Sequence, residues 1–407
     1  MPMNSIMYLP GLKEVIITGI EEQEDRLVLH AELEVRIHAC PSCGSRTRKV
    51  HDYRVRKVGH LKLFERLTTI FYRQRRYACQ KCRKRFSEKN PIVGRYQRFT
   101  KEWNQAVSLR CVKAKTFKEM AVSFGASATT ITRRFDGLAE KEMTSPGKLP
   151  KAIAIDEYKG DTSAGKYQVI IADAATRQPI DVLPDRKVET VKSYLQQHGG
   201  AVEVVVMDMS YTFKSAVKKA LGNPVIVADR FHFVRYVHWA LERIRVRVQK
   251  EFSEYDRKKC KRMRHVFHKQ SDQLTEKQKW YLDRYLNMHP SLRKAYELKE
   301  AFKKWFNDAK TAGLDGIAEI KQELQGFYEL IEESGLEEFR KTRDTLRNWQ
   351  VEILNSFAFG YSNGFLEAIN NTTKVLKRNA YGYRNFDRMR ARILLKWKYR
   401  ELEIHVA

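Results

Sequence analysis

Three acids stand where short structural elements begin or end, and four cysteines fall in two matched pairs. Asp208 closes Glu203-Val-Val-Val-Met-Asp208, whose Val204–Met207 run is unbroken, apolar and rich in β-branched residues. Such a run reads as a strand covered on both faces. Asp156 closes Ile153-Ala-Ile-Asp156 in the same way. A carboxylate where a buried strand hands over to a loop is well placed for a ligand in an open α/β sheet. The competing reading of Asp208 is a helix-capping or loop aspartate. A third acid, Glu367, lies far along the chain in Asn363-Gly364-Phe-Leu-Glu367-Ala-Ile-Asn370-Asn371-Thr-Thr-Lys374-Val-Leu-Lys377-Arg378. On a helix begun by Asn363-Gly364, Glu367, Asn371, Lys374 and Arg378 share one face, and Leu366, Ile369 and Leu376 face elsewhere. That face carries an acid, then an amide and bases: a metal ligand followed by phosphate contacts. An ordinary amphipathic helix would show the same spacing.

The cysteine pairs are Cys40-Pro-Ser-Cys43 and Cys79-Gln-Lys-Cys82, with Cys111 and Cys260 outside both motifs. Each C-x-x-C turns the backbone so that two thiolates converge. Four sulfurs then make a closed, tetrahedral site for one structural Zn²⁺. The spacer between the pairs is longer than in most zinc ribbons, but strand-like stretches at 53–58 and 67–77 leave room for a β excursion. His38 and His51 are possible substitute ligands, and four free cysteines would be the plain alternative.

These residues need elements to hold them. Val15–Thr18, Arg26–His30 and Leu33–Ile37 alternate and suggest a small antiparallel sheet. The strands between the cysteine pairs carry Arg54, Arg56, Lys57, Arg66, Arg73, Arg75 and Arg76 among Tyr53, Phe71, Tyr72 and Tyr77, a mixture suited to phosphate contact and stacking. A helix over Thr100–Val112, anchored by Trp103, Val107 and Leu109, precedes a helix-turn-helix. Thr116 with Glu119 forms a capping box, Gly125 sits at the turn, Ser127 caps the second helix, and Ile131 and Phe135 face the core. That points Ala128, Thr129, Thr132 and Arg133 outward, with Arg134 beside them, as residues for a DNA major groove. A three-helix packing module without a DNA role remains the alternative. A polar linker runs over 140–150.

Beyond it, the pattern β-β-β-α-β-α-β is that of a ribonuclease-H-like fold. There the first and fourth strands are neighbours, so Asp156 and Asp208 can share one metal site. Three carboxylates can hold two Mg²⁺ (or Mn²⁺) ions for in-line phosphoryl transfer. Between residue 231 and residue 355 lies a helical insertion. Its first segment is strongly basic (Arg235, Arg243, Arg245, Arg247), and helices follow over 276–287, 292–309, 317–333 and 337–357. Trp239, Trp280, Trp305 and Trp349 are candidate core residues, and a last basic helix spans 385–402. The division expected is 1–95 for the N-terminal β and four-cysteine zinc-finger domain and 96–145 for the helix-turn-helix. The first part of the core takes 150–230, the insertion 231–355 and the closing core helices 356–407.

The whole chain carries 77 Lys plus Arg against 49 Asp plus Glu, a net charge of +28. A field of that size favours a polyanion, and nucleic acid leads over anionic membrane. No apolar run is long enough to span a bilayer, and the start is not signal-like, so a soluble, intracellular protein is expected.

In order along the chain, the paired C-x-x-C motif, the helix-turn-helix, Ile-Asp156-Glu157, Met-Asp208-Met-Ser, Ala-Asp229-Arg-Phe-His232 and Ser-Asn363-Gly364-x-x-Glu367-x-x-Asn370-Asn371-x-x-Lys374 resemble insertion-sequence transposases of the ISL-three type, in the wider DDE superfamily. Each motif is weak alone; the ordered set is specific. The resemblance implies that Asp156, Asp208 and Glu367 are the DDE triad. It also implies that Asp229 and His232 support the active site, though a helix cap and a first-turn histidine would look alike. Asn371, Lys374, Lys377 and Arg378 would contact DNA, and the insertion would help to hold transposon ends. The expected activity is metal-dependent strand cleavage and transfer on double-stranded DNA, namely terminal inverted repeats and target. It would proceed in a homodimeric synaptic complex, in the bacterial cytoplasm at the nucleoid and away from membranes. A DNA-binding regulator with a degenerate core, or a nuclease that does not join strands, are the alternative functions.

Overall fold

The computed structural model describes residue 12 and residues 14–143 and 146–400. Their contacts divide them into two compact units, one drawn from Met1–Thr144 and Lys398–Ala407, the other from Ser145–Trp397.

In the first unit, β1 (Val15–Glu22) and β2 (Arg26–Leu33) pair antiparallel, as their alternation predicts. The expected third strand does not form: the chain from Glu34 to Ile37 is irregular and exposed. The other edge of β2 is taken instead, in parallel, by a longer strand from outside the local sequence. That strand is β6 (Leu67–Ala78), reached after the short strands β3 (His38–Ala39) and β4 (Arg46–Thr47) and then β5 (Val50–Gly59). β5 and β7 (Arg85–Ser87) flank β6 antiparallel. Leu12, Val15, Ile17, Leu29, Val58, Ile70 and Tyr72 fill the core beneath this sheet. Several of the basic residues expected to meet phosphate do structural work here. Arg75 is buried, with Nη2 3.0 Å from Glu32 and its other nitrogen facing Leu33 O and Glu88. Arg76 pairs with Asp52 at 2.8 Å and Arg66 with Glu22 at 2.7 Å.

Three helices follow: α1 (Lys101–Lys113), α2 (Phe117–Phe124) and α3 (Ala128–Glu142). Thr100, Thr116 and Ser127 each cap one, accepting from the backbone N–H of Trp103, Glu119 and Thr130. Gly125 adopts φ +61°, the left-handed turn that lets α2 stop and α3 begin. Trp103 is fully buried, stacks on Phe99 at 3.8 Å and donates its indole N–H to Phe124 O at 3.1 Å. Val107, Ile131 and Phe135 complete the packing. Leu109 is exposed rather than an anchor, because Val107 and Cys111 already define the inward face of α1. α3 also runs three residues into the stretch expected as linker.

The second unit is built on a sheet of β8 (Ala152–Thr162), β9 (Gly165–Asp173), β10 (Pro179–Leu183), β11 (Val204–Met207) and β12 (Val225–Ala228), ordered β10-β9-β8-β11-β12. β9 is antiparallel to β8 and to β10, whereas β11 runs parallel to both β8 and β12. The crossovers are α4 (Val188–His198) and α5 (Tyr211–Leu221). Every residue of β11 is buried. Alternate side chains serve different cores: Val205 and Met207 join one apolar cluster, Val204 and Val206 another. This is why the run is continuous rather than alternating.

The long helical segment comprises α6 (Arg230–Val248), α7 (Glu254–Arg262), α8 (Arg264–His268), α9 (Glu276–Met288), α10 (Pro290–Ala312), α11 (Ile317–Ser334), α12 (Glu337–Asn348) and α13 (Gln350–Ala358). It shares one continuous apolar cluster with the first face of the sheet. The helix expected over 337–357 is broken at Trp349, which is buried and leaves the helical conformation. Trp305 is also core, but Trp239 is 41 % and Trp280 60 % exposed, contrary to expectation. Their neighbours Ala240, Leu241, Leu282 and Tyr285 take the inward positions. Arg245, one of the residues that make this segment strongly basic, is buried and ion-paired with Glu242. The last elements are α14 (Gly364–Asn379) and α15 (Phe386–Lys398). Leu366, Ile369 and Leu376 of α14 lie on Ala154, Val206 and Val227 of the second sheet face. The far end of the helix expected over 385–402 lies outside the described residues.

Candidate active site and zinc knuckles

Strand register builds the acid site. Met207 is paired with Ile155 on one side and with Ala228 on the other. The next residue in each segment is an aspartate: Asp208 and Asp229 follow the ends of β11 and β12, whereas Asp156, expected to close its strand, lies inside β8, which runs on to Thr162 because it keeps pairing with β9. Three adjacent parallel strands therefore deliver three carboxylates to the same edge of the sheet, at the ends where an open α/β sheet binds ligands. α14 supplies the fourth acid. Its apolar stripe seats it on the sheet, and Glu367, three residues before the buried Asn370, lines the same cleft. The cleft encloses about 580 Å³.

Within it, His232 Nε2 lies 3.0 Å from Asp208 Oδ1 and 3.8 Å from Asp229 Oδ2. Asp208, Asp229 and His232 present ligand atoms all within 4.8 Å of one another. Asp156 and Glu367 line the cleft around that group. Asp229 also caps α6, accepting from Phe231 N, so the capping and site readings coexist. Asp156 accepts from Asn370 Nδ2 at 2.6 Å and from the Glu157 backbone N–H at 2.7 Å. Burial, then the charge of Asp208, push the Asp156 carboxyl up to about 7. Burial likewise raises Asp229, with Asp208 adding to it against the opposing pull of His232. Burial disfavours a charged His232, but the hydrogen bond and charge of Asp208 outweigh it, and its pKa is raised. These raised carboxyls mark a site with more negative charge than it can hold unaided. Clustered hard oxygens with one imidazole suit a divalent cation, which would relieve that repulsion.

Residues that sequence reasoning passed over complete the site. Asn370 orients Asp156; its i+3 spacing from Glu367 was the available signal. Arg235 Nη2 donates to His232 Nδ1 at 2.9 Å, so the proton on Nε2 points at Asp208. Arg186 pairs with Glu157 at 2.8 Å on the cleft wall. Of the expected phosphate contacts, Asn371, Lys374 and Arg378 are exposed, and Lys374 lines the cleft. Lys377 is held by Asp161 at 2.6 Å. On α3, Ala128, Thr129 and Arg133 are exposed, and Thr132 and Arg134 are half-buried. The Thr132 hydroxyl donates to Ala128 O at 2.8 Å within its own helix.

In the first unit, the β3–β4 and β6–β7 hairpins each end in a cysteine knuckle of the same design. Gly44 N–H donates to Cys40 O and Arg83 N–H to Cys79 O. Gly44 (φ +72°) and Arg83 (φ +58°) occupy the left-handed region that each tight turn requires. Cys40 and Cys82 sulfurs lie 3.5 Å apart, as do those of Cys43 and Cys79, and all four fall within 4.8 Å. A tetrahedral Zn²⁺ with bonds of about 2.3 Å sets its sulfurs about 3.8 Å apart, which this cluster matches. The Ser45 hydroxyl and backbone N–H lower the Cys43 thiol to about 6, which favours the ligating thiolate.

Comparison with known proteins follows the same architecture. A family model described as a transposase, of the DDE type in the ISL3 family, matches residues 153–393. The chain belongs to the ISL3 family of transposases. Two further models match the first unit. A zinc finger of the transposases IS204/IS1001/IS1096/IS1165 matches residues 36–82, and the helix-turn-helix domain of transposase family ISL3 matches residues 88–139. The transposase for insertion sequence element IS1001 from Bordetella parapertussis is 27 % identical over 393 residues, 93 % of this chain and 94 % of that protein. A protein named ATP-dependent protease, from Lactococcus lactis subsp. lactis, is 33 % identical over 117 residues, but these are only 28 % of this chain and 34 % of that protein. This ISL3 transposase therefore binds DNA, carries a zinc ribbon built on its four clustered cysteines, and works with divalent metal. Among its described residues, no helix is long and apolar enough to cross a membrane.

Proposed function

We propose that this transposase cuts and joins DNA strands at the ends of its own insertion sequence, with Asp156, Asp208 and Glu367 as its catalytic acids. The observation that carries the reading is the register Ile155–Met207–Ala228, which aligns the acids on adjacent strands beside the helix bearing Glu367. The strand order β10-β9-β8-β11-β12, with only β8, β11 and β12 parallel, supports a ribonuclease-H-like core. Asp208, on the middle strand of the three, is the acid best placed to be shared between ions, and Asp229 and His232 support it as further ligands or orienting groups.

Mg²⁺ (or Mn²⁺), as two ions held by Asp156, Asp208 and Glu367, would supply an activated hydroxyl nucleophile and stabilise the leaving oxygen. The chain's own groups do the rest. Asn370 fixes one oxygen of Asp156. Arg235 sets the tautomer of His232. Lys374, with Asn371, Lys377 and Arg378 along α14, offers donors and charge to the DNA backbone. Ala128, Thr129, Thr132, Arg133 and Arg134 on α3 would read the terminal inverted repeats in the major groove. Joining a cut end requires target DNA beside it, and pairing two ends favours a homodimer acting at the bacterial nucleoid. The working domains remain 1–95, 96–145, 150–230, 231–355 and 356–407.

The test is Mg²⁺-dependent cleavage and joining of element-end DNA by the wild type, Asp208→Asn and Glu367→Gln. Both variants should lose cleavage while still binding the uncut end. Wild-type cleavage by Asp208→Asn would sink the triad, and cleavage without joining would make the protein a nuclease.

A further inference from the structure

Helix α6 leaves the acid cluster with His232 turned into it and a row of exposed rings beside it. Phe231, Arg235 and Trp239 recur four residues apart on one face, and the exposed Arg243 continues the row. Phe231 is 64 % exposed and Trp239 41 %. The Arg235 guanidinium lies over both, 5.6 Å from the Phe231 ring centre and 4.5 Å from that of Trp239. Tyr236 stands edge-on to Trp239 at 5.6 Å. Packing does not ask for these rings. α6 is anchored through a different face, by Phe233, Val237, Ala240, Leu241 and Ile244. Phe231, Arg235 and Tyr236 nonetheless line the acid cleft.

Ring faces interleaved with guanidinium planes stack on nucleobases of any sequence. A paired duplex hides those base faces, so the matching ligand is an unpaired or splayed base. The charge around the row selects the same class of partner. Arg186, Arg235 and Lys374 ring the cleft and Arg243 extends the row, which suits a phosphate backbone rather than an acid-poor protein surface or a lipid tail. The row starts one residue from His232, so a stacked base would sit next to the phosphodiester held at the acids. We propose that Phe231, Arg235 and Trp239 form a stacking clamp for unpaired nucleobases of the DNA strand flanking the scissile phosphate. The inference rests on the reading of the cleft as the site of strand cleavage.

The experiment uses the full-length protein with Ca²⁺, and two probes. One is a fully paired duplex; the other is a forked duplex whose unpaired arm carries a fluorescent adenine analogue. The wild type should prefer the forked probe and quench the analogue on binding. In Trp239→Ala and Phe231→Ala the ratio of forked to paired affinity should fall by roughly 5- to 150-fold, the range for losing one base–aromatic stack. Trp239→Phe should keep most of the preference and the quenching. A wild type without fork preference, or alanine variants that melt normally and keep the wild-type ratio, overturns the clamp. Cleavage by Asp208→Asn is scored separately: normal cleavage there with an intact fork preference removes the catalytic reading and leaves the clamp standing.

Discussion

Proton and metal should compete for Asp156, and Asn370 should set the pH at which they do. The Asp156 carboxyl is pushed up to about 7 by burial and by Asp208. It is then roughly one-tenth ionised at pH 6 and nine-tenths at pH 8, so apparent Mg²⁺ affinity should rise about tenfold between them. The sign for stability follows from the same shift. The folded pKa lies above the ordinary aspartate value of 3.8, so between the two the folded state binds the extra proton. Metal-free protein should lose stability as pH climbs from about 4 to about 7 and level off above that, and Mg²⁺ should restore it most on the alkaline side. The Asn370 amide donates to Asp156 over 2.6 Å from a buried position. Hydrogen bonds to charged groups contribute about 1.5–3 kcal/mol. At about 1.4 kcal/mol per tenfold in a proton equilibrium, Asn370→Ala should move the midpoint of the Mg²⁺–pH curve up by roughly one to two pH units. The assay is the thermal midpoint against Mg²⁺ concentration at pH 6, 7 and 8, for wild type and variant. Equal apparent affinity at pH 6 and 8 would refute the shifted carboxyl. Superimposed curves for the two proteins would refute the role given to Asn370.

Three further outcomes can be checked directly. Cys40→Ser should lose stoichiometric zinc, read by metal analysis, and lower the melting temperature; full zinc retention would contradict the four-cysteine site. Trp103→Ala empties the centre of α1–α3 and removes the hydrogen bond to Phe124 O, so a loss of about 3–5 kcal/mol is expected in denaturant unfolding of this region. Arg133→Ala, on the exposed face of α3, should weaken binding to element-end DNA and make its salt dependence shallower by about one counterion, with melting unchanged.

Local signals carried far in this chain. C-x-x-C spacing named the four sulfurs because each tight knuckle brings its two thiols together, and the four fall in one cluster. The caps at Thr100, Thr116 and Ser127 and the left-handed turn at Gly125 are decided within a few residues, so the helix-turn-helix was legible. The unbroken apolar run of β11 announced a strand buried on both faces, and an amphipathic stripe placed Glu367 opposite Leu366 and Ile369 on α14. The errors came where partners are distant. Nothing near Leu33 says that β2 would pair with β6 in parallel and leave 34–37 outside the sheet. Trp239 and Trp280 looked like core because tryptophan usually is, yet which side of a helix is covered depends on its neighbours. Arg75 looked like a phosphate contact and Arg245 like one more charge of a basic helix, but Glu32 and Glu242 hold them inside.

The amino-acid order by itself determined which residues could act: three acids beside apolar runs, four paired thiols, and a basic, DNA-directed composition. Those follow from residue type and short-range spacing. That β8 would run on past Asp156 to Thr162 was not legible in that order. Only the tertiary structure decided that Asp229 stands in line with Asp156 and Asp208, that His232 bonds to Asp208, and that Asn370 clasps Asp156. The reason is that strand register and helix seating are fixed by burial over the whole sheet. A carboxylate's neighbours, and hence its charge state, are set by chain segments hundreds of residues apart.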